Sequence, residues 1–139
     1  MPSALFKFPY QPKATLHYGE IPDPRITVYL KSLFGFEPVT MLADTGADVS
    51  MLPRSWAKRL GIKLSTLKSH NILVASGKEI KVYRGEITLK FRQKSPEITI
   101  PCTFTASDQT PLLLGRVGIF HRFSLKFSHT SKALLIFDK

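Results

Sequence analysis

Met41-Leu42-Ala43 runs directly into Asp44-Thr45-Gly46, and this junction constrains the chain more than any other stretch. The apolar residues read as a strand whose end is half-buried. A carboxylate set there is costly unless its ionised or shared-proton state is put to use. Thr45-Gly46 then turns the chain, and Ala47-Asp48-Val49-Ser50 carries it onward. The fold must therefore deliver one acid, at the end of a strand, into a tight loop.

The neighbouring residues supply strands of the required kind. Ile26, Val28 and Leu30 alternate with Thr27, Tyr29 and Lys31, the period of a strand with one buried face. Gly35 permits a turn, and a second strand from about Val39 to Ala43 completes a hairpin whose far end presents Asp44. Downstream, Ile87, Leu89 and Phe91 alternate with polar residues, and so do Ile98, Ile100, Cys102 and Phe104 beyond a Lys94-Ser95-Pro96 turn. These predict paired antiparallel strands sharing a buried face, with Pro101 placing the second at an edge or a bulge. With 139 residues, 43% of them hydrophobic, and 10 prolines, the chain fits one mostly β domain rather than a disordered or helical protein.

Before Ile26 the character differs. Pro2, Pro9, Pro12, Pro22 and Pro24 make residues 1–24 read as an extended N-terminal arm, leaving 25–139 as the domain proper. After Ser50, Pro53 suits a first helical position and Gly61 a C-terminal cap, enclosing about two turns from Arg54 to Leu60, with Trp56 and Leu60 facing the core. Asn71–Ala75 and Glu79–Tyr83 flank Ser76-Gly77-Lys78, predicting a hairpin with a polar, flexible tip. Pro111–Leu114 is a continuous apolar strand that meets Gly115 and Arg116 and then a short helical segment, before a closing hairpin from Phe123 to Phe137.

Charge and cysteine content limit the partners. The chain carries 20 Lys and Arg against 10 acids, a net charge of +10, so polyanions are attracted at low salt. The basic residues are scattered, with no aromatic-basic RNA-binding motif, so nucleic acid is expected only through non-specific charge attraction. A single cysteine, Cys102, excludes an intrachain disulfide and reads as a core residue. The opening residues lack a signal peptide's apolar segment, and no run of ~18 apolar residues spans a membrane, so a soluble, cytoplasmic protein is expected. His17, His70, His121 and His129 show no ligand spacing, and neither metal nor cofactor is expected.

Apolar-apolar-x-Asp-Thr-Gly-Ala, with a hydroxyl residue at Ser50, resembles the active-site loop of the retropepsin-like aspartic proteases. Leu113-Leu114-Gly115-Arg116 resembles the apolar-apolar-Gly-Arg element that packs behind that loop, and the Ser76-Gly77 hairpin lies between the two, where the substrate-covering flap belongs. The closing hairpin is similar to that of bacterial and cellular relatives of the viral enzymes. The resemblance implies a closed or partly open β-barrel with one or two short helices, homodimeric when active, hydrolysing peptide bonds. Aspartic proteolysis polarises a water between two carboxylates that share a proton. This chain has one Asp-Thr-Gly, so the resemblance implies that Asp44 from each of two subunits forms the dyad.

Other roles follow from the same likeness. Thr45 would hydrogen-bond across the dimer axis, and Gly46 would let substrate approach. Ala47, Asp48, Ser76 and Gly77 would line the groove for an extended polypeptide, and Arg116 would hold Asp48 through two parallel bonds as a structural ion pair. Two features depart from the viral pattern. The flap tip has one glycine, and the chain continues past Phe127 into another strand, Ala133–Phe137. The alternatives are a catalytically silent dimerisation or binding module of the same fold, and a basic nucleic-acid-binding β-domain.

Overall fold

Strand β4, Arg25–Ser32, buries Ile26, Val28 and Leu30 and turns their neighbours outward, as a period of two requires. A two-residue turn, Leu33-Phe34, leads into β5, Gly35–Ala43, whose Val39, Met41 and Ala43 complete the same buried face. The computed structural model describes residues 3–138; Met1, Pro2 and Lys139, within the spans expected for arm and domain, lie outside it.

Six strands close on one another. β5 pairs in parallel with β10, Leu113–Leu114, which pairs with β6, Ser50–Leu52; β6 runs parallel to β9, Ile98–Thr105, and β9 antiparallel to β8, Glu79–Lys90. The far end of β8 returns to β4 through Tyr29↔Lys90 and Leu30↔Leu89 and shuts the barrel. Inside lie Met41, Leu52, Leu89, Phe91, Ile100, Phe104, Leu114 and Ile119. Each such side chain contributes ~1.5–3 kcal/mol by leaving water. β7, Ser69–Leu73, hangs on the projecting half of β8.

A second sheet, in the order β1-β12-β11, joins Phe6–Pro9 to the closing hairpin of Phe123–Ser128 and Ala133–Asp138. It meets the barrel at Phe91, whose ring lies 5.1 Å from Phe6, 6.1 Å from Phe8 and 5.5 Å from Phe123. Between β1 and β4 the chain forms a separate hairpin, β2 (Gln11–Ala14) with β3 (Glu20–Asp23). The proline-rich stretch is thus extended, as its composition requires, and is organised into three short strands that the prolines concealed.

Local expectations are met with three shifts. Helix α1 spans Arg54–Arg59, but Pro53 stands just before its first turn with ψ 165°, so it acts as the N-cap residue. At the other end, Gly61 and Ile62 donate to the carbonyls of Lys58 and Ala57, a Schellman closure with Gly61 at φ 76°. Pro101 sits in β9, which is central and carries no bulge there: it faces Glu86 of β8, and the parallel partner β6 begins only opposite Cys102. The edge or bulge expected for Pro101 is replaced by a local gap in one ladder, which spares its missing N–H. Residues 116–122 form linked turns rather than a regular helix, because Gly118 takes φ 87° in their midst.

Candidate active site

The backbone of Asp44 is held from two directions. Its N–H donates to Leu114 O at 3.0 Å, and Leu42 N–H donates to Leu112 O at 2.9 Å, which extends the β5–β10 ladder to the acid itself. On the opposite edge of β5, Ala43 N–H donates to Pro24 O at 3.0 Å. Beyond Asp44 the chain turns sharply. Gly46 N–H donates to Asp44 Oδ1 at 2.9 Å, and Ala47 N–H donates to Asp44 O at 3.2 Å. The carboxylate is therefore oriented by its own loop, and it is half-buried while Thr45 and Gly46 are exposed.

The loop is bonded to the stretch after β10 as tightly as a pair of strands. Gly115 N–H donates to the buried Ser50 Oγ at 2.9 Å, and the N–H groups of Arg116 and Val117 donate to Ala47 O and Asp48 O at 3.0 and 2.9 Å. A Cβ on Gly115 would stand 2.4 Å from Val49 C and 2.7 Å from Ser50 N, so only glycine admits this approach. Ser50 was legible as the hydroxyl of the loop. Its partner Gly115 was legible too, in the apolar-apolar-Gly-Arg element expected to pack behind the loop, whereas the carbonyls of Pro24 and Leu114 had no signal in the sequence, since backbone acceptors carry none.

The side chains of Asp48 and Arg116 meet as an ion pair through one contact, Arg116 Nη2 to Asp48 Oδ1. The two parallel bonds expected are not formed. In the single chain the pair is open to water, with the side chains 79% and 50% exposed, so nothing forces the guanidinium fork onto the carboxylate. Two further aspartates are paired with arginines away from this loop: Asp23 accepts from Arg25 Nε at 2.6 Å, and Asp108 from Arg54 Nη2 at 3.2 Å.

Ser76 and Gly77 lie exposed at the tip of the β7–β8 hairpin. Val74 N–H donates to Lys78 O at 2.9 Å and Gly77 N–H to Val74 O at 2.8 Å, which closes the tip. Among the described residues no hydrogen bond ties it to the Asp44 loop, and Leu73 beside it is 72% exposed. Cys102 is buried on β9 opposite Ser50, and burial pushes its thiol up to about 12. No helix among the described residues is long and apolar enough to cross a membrane.

Solved structures share this fold. A retropepsin-like aspartic protease from Rickettsia conorii superposes with a TM-score of 0.61 at 23% identity, covering 95% of this chain and 98% of its own. The EIAV protease, in complex with the inhibitor HBY-793, gives a TM-score of 0.51 at 22% identity over 73% of this chain and 88% of its own. The fold is retropepsin-like and all-β. No curated protein sequence matches the chain. The family model for aspartyl protease matches residues 29–116, more than half of the length and inclusive of both the Asp44 loop and Arg116, and the chain belongs to the aspartyl protease family.

Proposed function

We propose that the protein is an aspartic endopeptidase whose site forms when two copies bring their Asp44 carboxylates together about a two-fold axis. One observation carries the reading. A half-buried acid, oriented by Gly46 N–H, lies at the strand end matched by the aspartyl protease family, and the loop around it is exposed rather than covered by its own chain. Two carboxylates about 3 Å apart cannot both ionise, so they share one proton. The ionised member then takes a proton from the water between them as the protonated member donates to the scissile carbonyl oxygen.

The supporting residues take roles in the same reading. Thr45 bonds across the axis, while Gly46, Ala47 and Asp48 face an extended peptide. Ser76 and Gly77 close over it as a flap, and Arg116 steadies Asp48. Residues 25–139 carry the protease domain and residues 1–24 an arm, and the pairing of Phe6–Pro9 with the last strand supports the arm's course along the body. The substrate binds as a strand, through main-chain hydrogen bonds. A cytoplasmic setting fits the single buried Cys102.

The test is cleavage of a diverse peptide mixture by the wild type and by Asp44→Asn, which keeps the shape and loses the shared proton. The variant should retain the circular dichroism spectrum and lose ~10³-fold or more of the rate. A statine-type inhibitor should bind the wild type more tightly, because its hydroxyl takes the place of the water. Near-wild-type cleavage by Asp44→Asn would remove the acid from the mechanism.

A further inference from the structure

The outward face of β4 carries Arg25, Thr27, Tyr29 and Lys31, the residues that a period of two sets opposite its buried Ile26, Val28 and Leu30. Along part of that face, between β1 and β4, runs a surface groove of about 310 Å³. Three cations, Lys7, Arg25 and Arg92, line it, and no acid does. Gln11 and the hydroxyls of Thr27 and Tyr29 add neutral polar groups. The acid beside Arg25 is already engaged, since Asp23 accepts from Arg25 Nε at 2.6 Å and its side chain is only 10% exposed. The two Nη groups of Arg25 and the Nζ of Lys7 have no hydrogen-bond partner among the described residues. An anion entering this groove meets free positive charge and no negative charge.

We propose that this groove binds an acidic segment of polypeptide, a run of Asp or Glu in a substrate at a distance from the bond that is cut. The consequence for substrate choice rests on the protease reading above; the binding itself does not. Arg25 stands opposite Leu42 in the β4–β5 ladder, two residues before Asp44, and Pro24 O accepts from Ala43 N–H. One end of the groove is thus tied to the strand that delivers the acid. From Arg25 to Tyr29 the face covers ~13 Å, the length of about four residues of an extended chain. A peptide held near Asp44 can therefore lay a short flanking segment along β4.

The aromatic rings around the groove favour carboxylates over nucleic-acid bases. Single-stranded nucleic acid is held largely by stacking, which needs open ring faces. Here the Arg92 guanidinium lies 4.3 Å over the Phe8 ring, and Lys90 Nζ, on the strand paired with β4, lies 4.2 Å over the Phe36 ring. Tyr29 is half-buried. The chain's own cations thus occupy the faces a base would need, while the free Nη groups of Arg25 form the fork that matches a carboxylate.

The probes are a fluorescein-labelled peptide of about eight residues, half of them glutamate, and its counterpart with glutamine in their place. Anisotropy with full-length Asp44→Asn, which leaves a bound peptide uncut, should show the glutamate peptide binding ~10-fold or more tightly at low salt. Adding Lys7→Glu, an exposed side chain with no partner to lose, should remove most of that preference. Lys63→Glu makes the same charge change on an exposed residue outside the groove and should leave the preference nearly intact. Arg25→Gln should act like Lys7→Glu, which keeps the test decisive if loss of the Asp23 partner unfolds the chain. Equal binding of the two peptides overturns the proposal, and so do equal effects of Lys7→Glu and Lys63→Glu. A single-stranded oligonucleotide of equal charge that binds more tightly than the peptide, and depends on Lys7, also overturns it. In the wild type, an acidic segment joined to a cleaved sequence should lower KM and leave kcat unchanged. Cleavage with no such difference in KM and no peptide preference would remove the groove and leave the protease reading standing. Lys7-dependent binding in a protein that cleaves no peptide would support the groove and count against the protease.

Discussion

Ser50 and Gly115 hold the acid loop in place without touching substrate. Ser50→Ala would leave the buried Gly115 N–H without its acceptor, an expected loss of ~1–3 kcal/mol. Gly115→Ala should cost more, on the order of 3 kcal/mol or beyond, because its Cβ meets backbone atoms that cannot step aside. Denaturant unfolding checks both, and an Ala variant at Gly115 as stable as wild type would contradict the close approach. Arg116→Lys belongs with the exposed pairs. The single contact to Asp48 predicts a change within ~1 kcal/mol in the isolated chain, where two buried parallel bonds would have predicted several. The acid, the turn and the paired residues were legible because side-chain type announces them. The single-contact geometry was not, because exposure is a property of the folded surface.

Among the elements, strands with one wet face were the easiest to read, since Ile26-Val28-Leu30 and Ile98-Ile100-Cys102 alternate without interruption. The strands of residues 6–23 were hidden because prolines weaken the pattern while remaining compatible with an edge. β10 was legible in the apolar run Pro111–Leu114, but its two-residue length is set by its partners β5 and β6. The junction of β5 with α1 offers a test by pH. Glu37 accepts from Arg59 Nε at 2.8 Å, and the Arg59 hydrogen bond, with a smaller contribution from Ser32, holds its carboxyl below the usual carboxylate value. A carboxyl lowered on folding stabilises above its unfolded pKa, ~4.3, and loses that contribution as pH falls through the lower folded value. Wild type should therefore melt above Glu37→Gln at pH 7, and the gap should close on acidification below ~4. A gap that persists or widens in acid would mean that the Glu37 carboxylate does not act through Arg59.

For the whole molecule, the closed barrel and the sheet that packs on Phe91 account for a stable single chain, yet the chain presents one oriented Asp44 on an open loop. The proposed chemistry needs two. The assembly was legible only as a requirement, from one Asp-Thr-Gly in a sequence whose proposed mechanism uses a pair. The most direct measurement is the rate of peptide cleavage against protein concentration, with dimer mass followed by sedimentation and excess Asp44→Asn added in a parallel series. The account predicts a rate that falls more steeply than linearly on dilution into the monomer range, and suppression by Asp44→Asn beyond simple dilution, because mixed dimers hold one carboxylate and one amide. A rate strictly proportional to concentration in a fully monomeric protein, indifferent to added Asp44→Asn, would contradict it.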